Sequence, residues 1–500
     1  MYDVIVVGGG PSGLNMCINL KKLKPDLKVG VFEKAKNPGG HLMSGMILQK
    51  GAYESYVKSS NLSSDTLIKR ESVLQLSEHS WLDLSWAVPP SLRNVGNTLV
   101  SINEMCVQMA SAAQALGAKV HLNTGINSLV VNNGSVIGAT TTGKATILSK
   151  HTVLAEGAYS TLASKHVETQ LPKHKEAQTY ALGIREEWAP APNHLIGTVW
   201  HTMGWPATQH SELGGGFVYF YKNYVAVGYV LHLAYKNGYV CPYKEFARFK
   251  THPLIGSVLE GREKQKYAAK LVATAGVNSV PEVCFPGCTV VGCSAGLTNI
   301  LKLKGVHNSL HSGKLAAEKL VNTAFKSASN KTKRWLIGPI KQEIEGVRNT
   351  AKMLRTYSKT LTLLEHFAAT ALKIKLPLPP ALADNTRTSV CSKTRRLPKD
   401  WSVADFRSEG LALAKLSYNR AVDHLSVNNE LMHKLCDLRL HDKLTNRLCP
   451  AKVYSWLKAS KHYMFAIQHE NCVQCKSCCV KPSMQTISWN TIPKGGPNYN

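Results

Sequence analysis

Four cysteines near the carboxyl end of this 500-residue sequence have the spacing of metal-cluster ligands. Cys472, Cys475 and Cys478 match the first three positions of a ferredoxin-type C-x2-C-x2-C-x3-C-P run. The fourth position falls on Pro482, which has no ligating atom. Cys449 lies upstream, and its thiolate completes the set if the intervening loop folds back. We therefore predict a [4Fe–4S] cluster held by these four thiolates.

Two alternatives remain open for this cysteine module. Cys479 competes with Cys449, but two neighbouring side chains seldom converge on one cluster, so we expect Cys479 to be a buried thiol. Structural zinc also accepts four thiolates, typically from two separated pairs. Three cysteines at successive x2 spacings favour the cluster. The sequence contains 13 cysteines in a large chain without a secretory signal, which favours metal binding over a disulfide framework.

A second motif lies at the amino end. An apolar run from Tyr2 leads into Gly8-Gly-Gly10-Pro-Ser-Gly13, a helix-like segment follows, and a second apolar strand ends at Glu33. This β–α–β order predicts dinucleotide binding: Gly8 permits the tight turn, Gly10 lets the backbone approach a pyrophosphate, and Gly13 lets helix pack on strand. Glu33 is expected to accept hydrogen bonds from a ribose.

Further segments favour FAD over NAD, since no second glycine fingerprint occurs in a β–α–β context. A predicted strand at 152–155 ends in Glu156-Gly157, and another strand runs into the glycine turn Gly292-Cys-Ser-Ala-Gly296. In chain order these segments suggest a cofactor domain assembled from separated pieces. Between them, short aromatic and β-branched runs from Thr179 to Arg262 predict an inserted antiparallel sheet.

Composition limits the possible partners. The formal charge of +28 predicts attraction to an anionic lipid surface, an acidic protein or nucleic acid. No stretch has the roughly 20 apolar residues of a membrane-spanning helix, so any membrane contact is expected to be monotopic. Nucleic-acid binding with zinc-bound cysteines is the non-enzymatic alternative.

These motifs together resemble the electron transfer flavoprotein–ubiquinone oxidoreductase family. Further segments carry the resemblance in order along the chain. They are His201-Thr-Met-Gly-Trp-Pro206, Gly214-Gly215 before Phe217, Lys302-Leu-Lys-Gly305, Cys449-Pro450, Ile487-Ser-Trp and Gly495-Gly-Pro-Asn-Tyr. The resemblance implies FAD and one [4Fe–4S] cluster, reduced electron transfer flavoprotein as donor and ubiquinone as acceptor. It assigns Gly214 and Gly215 to the quinone head group and implies no catalytic side chain beyond electron transfer. A related FAD and iron–sulfur reductase acting on an isoprenoid lipid is the alternative.

The resemblance also implies a membrane surface as partner and no nucleic acid. The expected location is the matrix face of the mitochondrial inner membrane or, if Met1 is the native start, the bacterial cytoplasmic membrane. Two segments are candidates for membrane contact, 81–92 with Trp81 and Trp86, and 361–382, although either could be a core element. Compared with the family, the region between 326 and 448 is expected to be shortened.

The expected fold mixes α/β and α+β architecture. It combines a Rossmann-like FAD domain of the glutathione-reductase kind with an inserted antiparallel-sheet quinone domain and a carboxy-terminal [4Fe–4S] ferredoxin-like module. The FAD domain is expected at 1–75, 100–175 and 265–325, and the ubiquinone-binding, membrane-facing domain at 76–99 and 176–264. A helical, Lys-rich linking region is expected at 326–440, and the cluster module at 441–500.

Overall fold

The computed structural model describes most of the chain and provides the bounds of its elements. The described residues are 1–56, 62–164, 176–207, 213–302, 304–323, 339–349, 353, 383–387, 407–418, 423–459, 462–491 and 495–499. Their strands are β1 (Tyr2–Val7), β2 (Val29–Phe32), β3 (Met46–Leu48), β4 (Thr66–Leu67), β5 (Arg70–Leu76), β6 (Trp81–Asp83), β7 (Thr98–Val100), β8 (Lys119–His121), β9 (Ile126–Asn132), β10 (Ser135–Thr141), β11 (Thr146–Leu154), β12 (Tyr180–Trp188), β13 (Thr198–Gly204), β14 (Gly214–Phe220), β15 (Val225–His232), β16 (Lys264–Ala273), β17 (Cys284–Phe285), β18 (Cys288–Val290), β19 (Leu416–Tyr418), β20 (Leu425–Val427), β21 (Tyr454–Ala459), β22 (His462–Ile467), β23 (Ile487–Trp489) and β24 (Gly495–Pro497).

The helices are fewer and mostly short. The α-helices are α1 (Pro11–Leu23), α2 (Lys50–Tyr56), α3 (Ile102–Ala115), α4 (Pro242–Thr251), α5 (Pro253–Leu259), α6 (Val306–Asn322), α7 (Pro339–Gly346), α8 (Arg407–Leu413), α9 (Glu430–His433) and α10 (Leu444–Leu448). A π-helical turn covers Lys434–Leu440. Short 3-10 turns cover Ser85–Ala87, Pro90–Leu92, Asn193–Leu195, Val277–Ser279, Gly292–Ala295, Asp384–Arg387, His469–Asn471 and Ser477–Cys479.

The first sheet has the order β17-β18-β11-β1-β2-β8, with β10 and β9 continuing from β11. Strands β18, β11, β1, β2 and β8 are parallel neighbours, as the β–α–β pattern predicts. Val4, Val6 and Val31 are fully buried because helices α1, α3 and α6 cover one face of the sheet. Strands β9 and β10 form an antiparallel hairpin, and Asn133 and Gly134 at its turn both have positive φ, as such a turn requires.

The second sheet has the order β16-β12-β15-β14-β13-β5-β6. Its pairs are antiparallel, as expected, except that β13 runs parallel to β5. The expected boundaries at 75 and 265 differ from this topology, because β5 and β16 belong to the second sheet. At residue 75 the physical reason is that β5 pairs with β13, which is distant in sequence and parallel, so no local hairpin signal marks that pairing.

In its described residues, the carboxy-terminal module contains three two-stranded sheets, β19-β24, β20-β23 and β21-β22. Since β19 and β20 pair with the last strands of the chain, the module begins upstream of the expected boundary at 441. Most of the linking region expected at 326–440, including the segment 361–382, lies outside the described residues. Within the described residues, no helix combines the length and apolar character needed to cross a membrane.

Candidate functional site

The predicted flavin residues gather at one edge of the first sheet. Because β18, β11, β1 and β2 are parallel, their carboxyl ends lie at the same edge, where open α/β sheets bind cofactors. Each strand is followed directly by a segment singled out from the sequence. These segments contain Gly8, Gly10 and Gly13 after β1, Glu33 after β2, Glu156 and Gly157 after β11, and Gly292 and Gly296 after β18.

The three fingerprint glycines have different surroundings. A Cβ atom on Gly8 would lie 2.4 Å from the carbonyl oxygen of Ala155, and one on Gly13 would lie 2.3 Å from the carbonyl oxygen of Gly8. Protein packing therefore requires both glycines. A Cβ atom on Gly10 would meet nothing closer than the Leu42 Cδ1 atom at 3.9 Å. The space beside Gly10, at the amino end of α1, fits a cofactor pyrophosphate.

Glu33 is buried with its carboxylate fixed by the backbone. It accepts hydrogen bonds from the amides of Gly9, at 2.8 Å, and Ala35, at 2.7 Å. The same carboxylate therefore shapes the glycine loop and stands at the end of β2, where the dinucleotide fold presents an acid to a ribose.

The Glu156 carboxylate has a structural role that was not predicted from the sequence. Its carboxylate accepts hydrogen bonds from the backbone amides of 161–163, at 3.1 to 3.2 Å, and so caps the following turn of helix. The Gly157 amide donates to the Ser294 hydroxyl at 3.0 Å, which ties this loop to the glycine turn after β18.

The glycine turn after β18 lies against the first turn of α1. Gly292 has φ +67°, and a Cβ atom there would lie 2.4 Å from the Ser12 hydroxyl oxygen. Gly296 has φ +72°, and a Cβ atom there would lie 2.5 Å from the Gln178 side-chain nitrogen. Both positions have a left-handed backbone that favours glycine, and a Cβ atom on either would require the Ser12 or Gln178 side chain to move.

The four predicted cluster cysteines are buried in one hydrophobic core. Burial raises the pKa of Cys449 to about 12, with a further rise from the nearby Cys475 and Cys478 thiols. Burial also raises the pKa of Cys472, on which Cys478, Cys475 and Cys449 all act. The four thiols are therefore close enough to affect one another, as cluster ligands must be. Cys479 is also buried, and its side-chain hydrogen bond raises the pKa of the adjacent Cys478 thiol.

The surroundings of these thiols fit a cluster. The buried Tyr454 hydroxyl lies within hydrogen-bonding reach of the Cys478 side chain, so it is placed to donate to a thiolate at this position. Among the residues that the structure covers, no group of three or more His, Cys, Asp or Glu side chains is arranged to hold a single metal ion. That finding is compatible with a cluster, because each thiolate binds a different iron atom.

One loop between the cluster cysteines joins all three units. Lys34, directly after Glu33, donates to the Gln474 side-chain oxygen at 2.9 Å, and Lys270 on β16 donates to the Gln474 carbonyl at 3.0 Å. Lys476 donates to the Tyr159 carbonyl at 3.1 Å. Burial lowers the pKa of Lys34 to about 8 and that of Lys270 to about 7.

Sequence reasoning did not identify this junction. Lys34 and Gln474 are 440 positions apart, so no local signal links them. In the sequence, Gln474 and Lys476 are marked only by their position between cluster cysteines. In the structure both adopt positive φ.

Gly214 and Gly215 lie at the start of β14, between β13 and β15. A Cβ atom on Gly215 would lie 2.4 Å from the Thr202 carbonyl oxygen, and one on Gly214 would lie 3.0 Å from the Val230 carbonyl oxygen. Packing within the sheet is therefore enough to explain why both positions are glycine, independently of any ligand beside them.

The segment 81–92 is a surface element. Trp81 is 50% exposed, Leu82 61% and Trp86 79%, so the interpretation of this segment as core is wrong. It begins with β6 at one end of the second sheet and continues as two 3-10 turns. An exposed cluster of tryptophan and leucine is typical of an interface with lipid or protein.

Three known families match successive, partly overlapping parts of the chain. The family described as pyridine nucleotide-disulphide oxidoreductase matches 2–198, and the ubiquinone-binding domain of electron transfer flavoprotein–ubiquinone oxidoreductase matches 180–272. The 4Fe-4S domain of the same oxidoreductase matches 411–500. A probable mitochondrial electron transfer flavoprotein-ubiquinone oxidoreductase of Schizosaccharomyces pombe is 31% identical, over 99% of this chain and 85% of its own. The chain belongs to the electron transfer flavoprotein–ubiquinone oxidoreductase family.

Other members agree. The mitochondrial rice protein is 31% identical over 100% of this chain and 92% of its own, and the Pseudomonas aeruginosa protein is 28% identical over 100% and 98%. As a member of this family, the chain is an oxidoreductase whose cofactors are FAD and a [4Fe–4S] cluster.

Solved structures show the shared fold. A geranylgeranyl bacteriochlorophyll reductase-like protein of Thermoplasma acidophilum has a TM-score of 0.54 at 17% identity, covering 74% of this chain and 97% of its own. The flavin-dependent brominase Bmp2 has a TM-score of 0.53 at 14% identity, covering 74% and 89%. At these identities the likeness concerns the fold alone, and it does not favour an isoprenoid-lipid reductase.

Proposed function

We propose that this chain accepts electrons from reduced electron transfer flavoprotein and delivers them, through its cluster and FAD, to ubiquinone. When bound, the cluster carries one electron at a time and the flavin stores two, while reduction of a quinone to a quinol consumes two electrons and two protons. Cys449, Cys472, Cys475 and Cys478 hold the cluster in this proposal. Gly10 borders the space that would take the flavin pyrophosphate.

The observation that carries the proposal is the junction at Gln474. A residue between two cluster cysteines accepts hydrogen bonds from Lys34, at the flavin edge, and from Lys270, on the second sheet. Electron transfer requires its cofactors to be close together, and this loop holds the cluster module against both other units. Gly214 and Gly215 face the quinone head group in this proposal.

Membrane association is the third part of the proposal. The exposed segment around Trp81 and Trp86 is apolar, and the formal charge of +28 favours anionic lipid, at about 1 kcal/mol per basic residue near the surface. The chain is thus monotopic, on the matrix face of the mitochondrial inner membrane or on the bacterial cytoplasmic membrane. Named relatives come from mitochondria and from one bacterium.

The test is a reconstituted reaction. Protein purified without oxygen, with both cofactors bound, is mixed with reduced electron transfer flavoprotein and a ubiquinone analogue. Quinol is expected to form only when the reduced flavoprotein is present. Failure of the cofactor-loaded protein to form quinol would contradict the proposal. Incubation with an isoprenoid lipid under the same conditions is expected to leave its double bonds intact.

A further inference from the structure

An aromatic path leads from the cluster cysteines to the surface of the carboxy-terminal module. Tyr454, beside Cys478, stacks on Phe465 with ring centroids 5.6 Å apart and an interplanar angle of 11°. Phe465 contacts Trp456 at 4.9 Å. Tyr454 is buried, whereas Phe465 and Trp456 are only partly buried. The hairpin formed by β21 and β22 therefore links the cluster thiols to solvent over a short distance.

The outer face of this hairpin carries an apolar pair. Leu457 lies directly opposite Met464 in the antiparallel register, and the two side chains are 51% and 57% exposed. Side chains alternate between the two faces of a strand, so the neighbouring Trp456 and Phe465 lie on the opposite face, where they form part of the aromatic path. Two large apolar side chains opposite each other on a solvent-facing hairpin form a patch that a partner surface can bury.

A basic groove adjoins the hairpin. A cavity of about 510 Å³ lies between the π-helical turn and the start of β22. Its basic side chains are Lys434, Arg439, Lys443 and His462, with Asp442 as the acidic one. The Lys443 ammonium group lies 5.5 Å from the centroid of the Tyr463 ring. A groove with this charge attracts a partner that presents carboxylates.

We propose that this hairpin surface, formed by Leu457, Met464 and the basic groove, is the docking site for electron transfer flavoprotein. The inference rests on the proposed function, because it identifies where the donor of that reaction binds. The partner surface is an acidic patch with an apolar centre. Docking there brings the donor to the end of the aromatic path that starts at the cluster thiols.

A lipid bilayer is the competing occupant of an apolar and basic surface. The chain has a separate apolar element, the segment 81–92 on the second sheet, which is the unit that matches the ubiquinone-binding family. The hairpin surface belongs instead to the cluster module. In this proposal the membrane that contains the quinone contacts the segment 81–92, and the soluble donor binds the hairpin surface. The two partners therefore use different units of the chain.

The test reverses charge in the groove. Lys434→Glu combined with Arg439→Glu is compared with Lys22→Glu combined with Lys119→Glu, which changes two exposed lysines of the FAD domain by the same total charge. At low ionic strength the groove variant is expected to raise the KM for electron transfer flavoprotein at least about tenfold and to leave kcat nearly unchanged. The difference should shrink as salt is added. The control pair should behave like the wild type.

Separate measurements distinguish the possible failures. FAD content, the cluster spectrum and binding to vesicles with anionic lipid are measured for every variant. If the charge reversal in the groove disturbs the cluster, the double variant Leu457→Ser with Met464→Ser is used instead. It is also expected to raise the KM for electron transfer flavoprotein. If these variants keep both cofactors and an unchanged KM for electron transfer flavoprotein, the inference is overturned. It is also overturned if they lose vesicle binding while this KM stays unchanged. If the wild-type protein accepts no electrons from the flavoprotein, the proposed function fails instead.

Discussion

At the flavin edge the chain contributes mainly backbone, whereas in the cysteine module it contributes buried side chains. Gly8 and Gly13 pack so closely that the loop is shaped by the protein alone, and Gly10 borders open space. The cluster thiols, by contrast, are buried and have raised pKa values. The flavin site is thus preformed, while the cluster site gains its main stabilising contact only when thiolates bind iron.

The cluster site is therefore expected to respond most strongly to a single change. Cys472→Ser should abolish the cluster spectrum and reduce donor-dependent quinone reduction to background, because a four-thiolate shell loses one ligand. FAD content should remain near that of the wild type, since the flavin edge is a separate structure. Electron paramagnetic resonance and flavin absorbance measure the two cofactors separately.

Cys479→Ser is the matched control for the ligand set. It changes a buried cysteine next to Cys478 and should preserve the cluster spectrum. The assignment of Cys449 is wrong if Cys449→Ser preserves the spectrum and Cys479→Ser removes it.

At the flavin edge, two glycine variants are expected to separate the effect on protein stability from the effect on FAD binding. Gly13→Ala places a Cβ atom 2.3 Å from the Gly8 carbonyl oxygen and is expected to destabilise the flavin-free protein by roughly 1–3 kcal/mol. Gly10→Ala brings its Cβ atom no closer to the protein than 3.9 Å, from the Leu42 Cδ1 atom, and should hardly change that stability. It should, however, weaken FAD binding about tenfold or more. Thermal unfolding and flavin fluorescence titration measure the two effects. Equal losses of stability in both variants would contradict the distinction.

A smaller effect is expected where the two sites meet. At about pH 6, below its pKa of about 7, the Lys270 amine is mostly protonated, so Lys270→Met removes a positive charge close to the Cys475 thiol. The reduced cluster carries one more negative charge than the oxidised cluster. The reduction potential of the cluster should therefore fall, by about 60 mV if the change in the one-electron equilibrium is tenfold. Lys266→Met, on the same strand but paired with Glu187, is the control. A redox titration followed by electron paramagnetic resonance measures the shift, and an unchanged potential would contradict it.

The same two regions explain what could be predicted from sequence. The flavin fingerprint is local, because one β–α–β unit contains its glycines and its acid, so spacing alone identified it. Three cluster cysteines are equally local, whereas Cys449 had to be inferred from a missing ligand. The junction of Lys34, Lys270 and Gln474 joins three units and left no local pattern. The pairing of β5 with β13 is hidden for the same reason.

The smallest expected effect concerns a contact that supports only the flavin side. Glu343 on α7 accepts hydrogen bonds from Asn299 at 2.9 Å and from His307 at 3.0 Å, and lies 3.5 Å from the Lys302 ammonium group. Burial raises the pKa of Glu343, but these hydrogen bonds and charges outweigh burial and lower the pKa to about 2.

Because the folded pKa lies below the ordinary value of 4.5, the stabilisation is complete above about pH 4.5 and is lost as the pH falls towards 2. Glu343→Gln should therefore cost about 1 kcal/mol near neutral pH, after allowance for partial solvent screening. The difference from the wild type should narrow at about pH 3.5, where part of the wild-type contribution is already lost. Urea unfolding at both pH values measures it, with Glu318→Gln on the exposed face of α6 as the control. The cluster spectrum should be unaffected, since α7 contacts α6 and the turn Val277–Ser279 on the flavin side. A stability gap that widens on acidification would mean that Glu343 is not held as a carboxylate by His307 and Lys302.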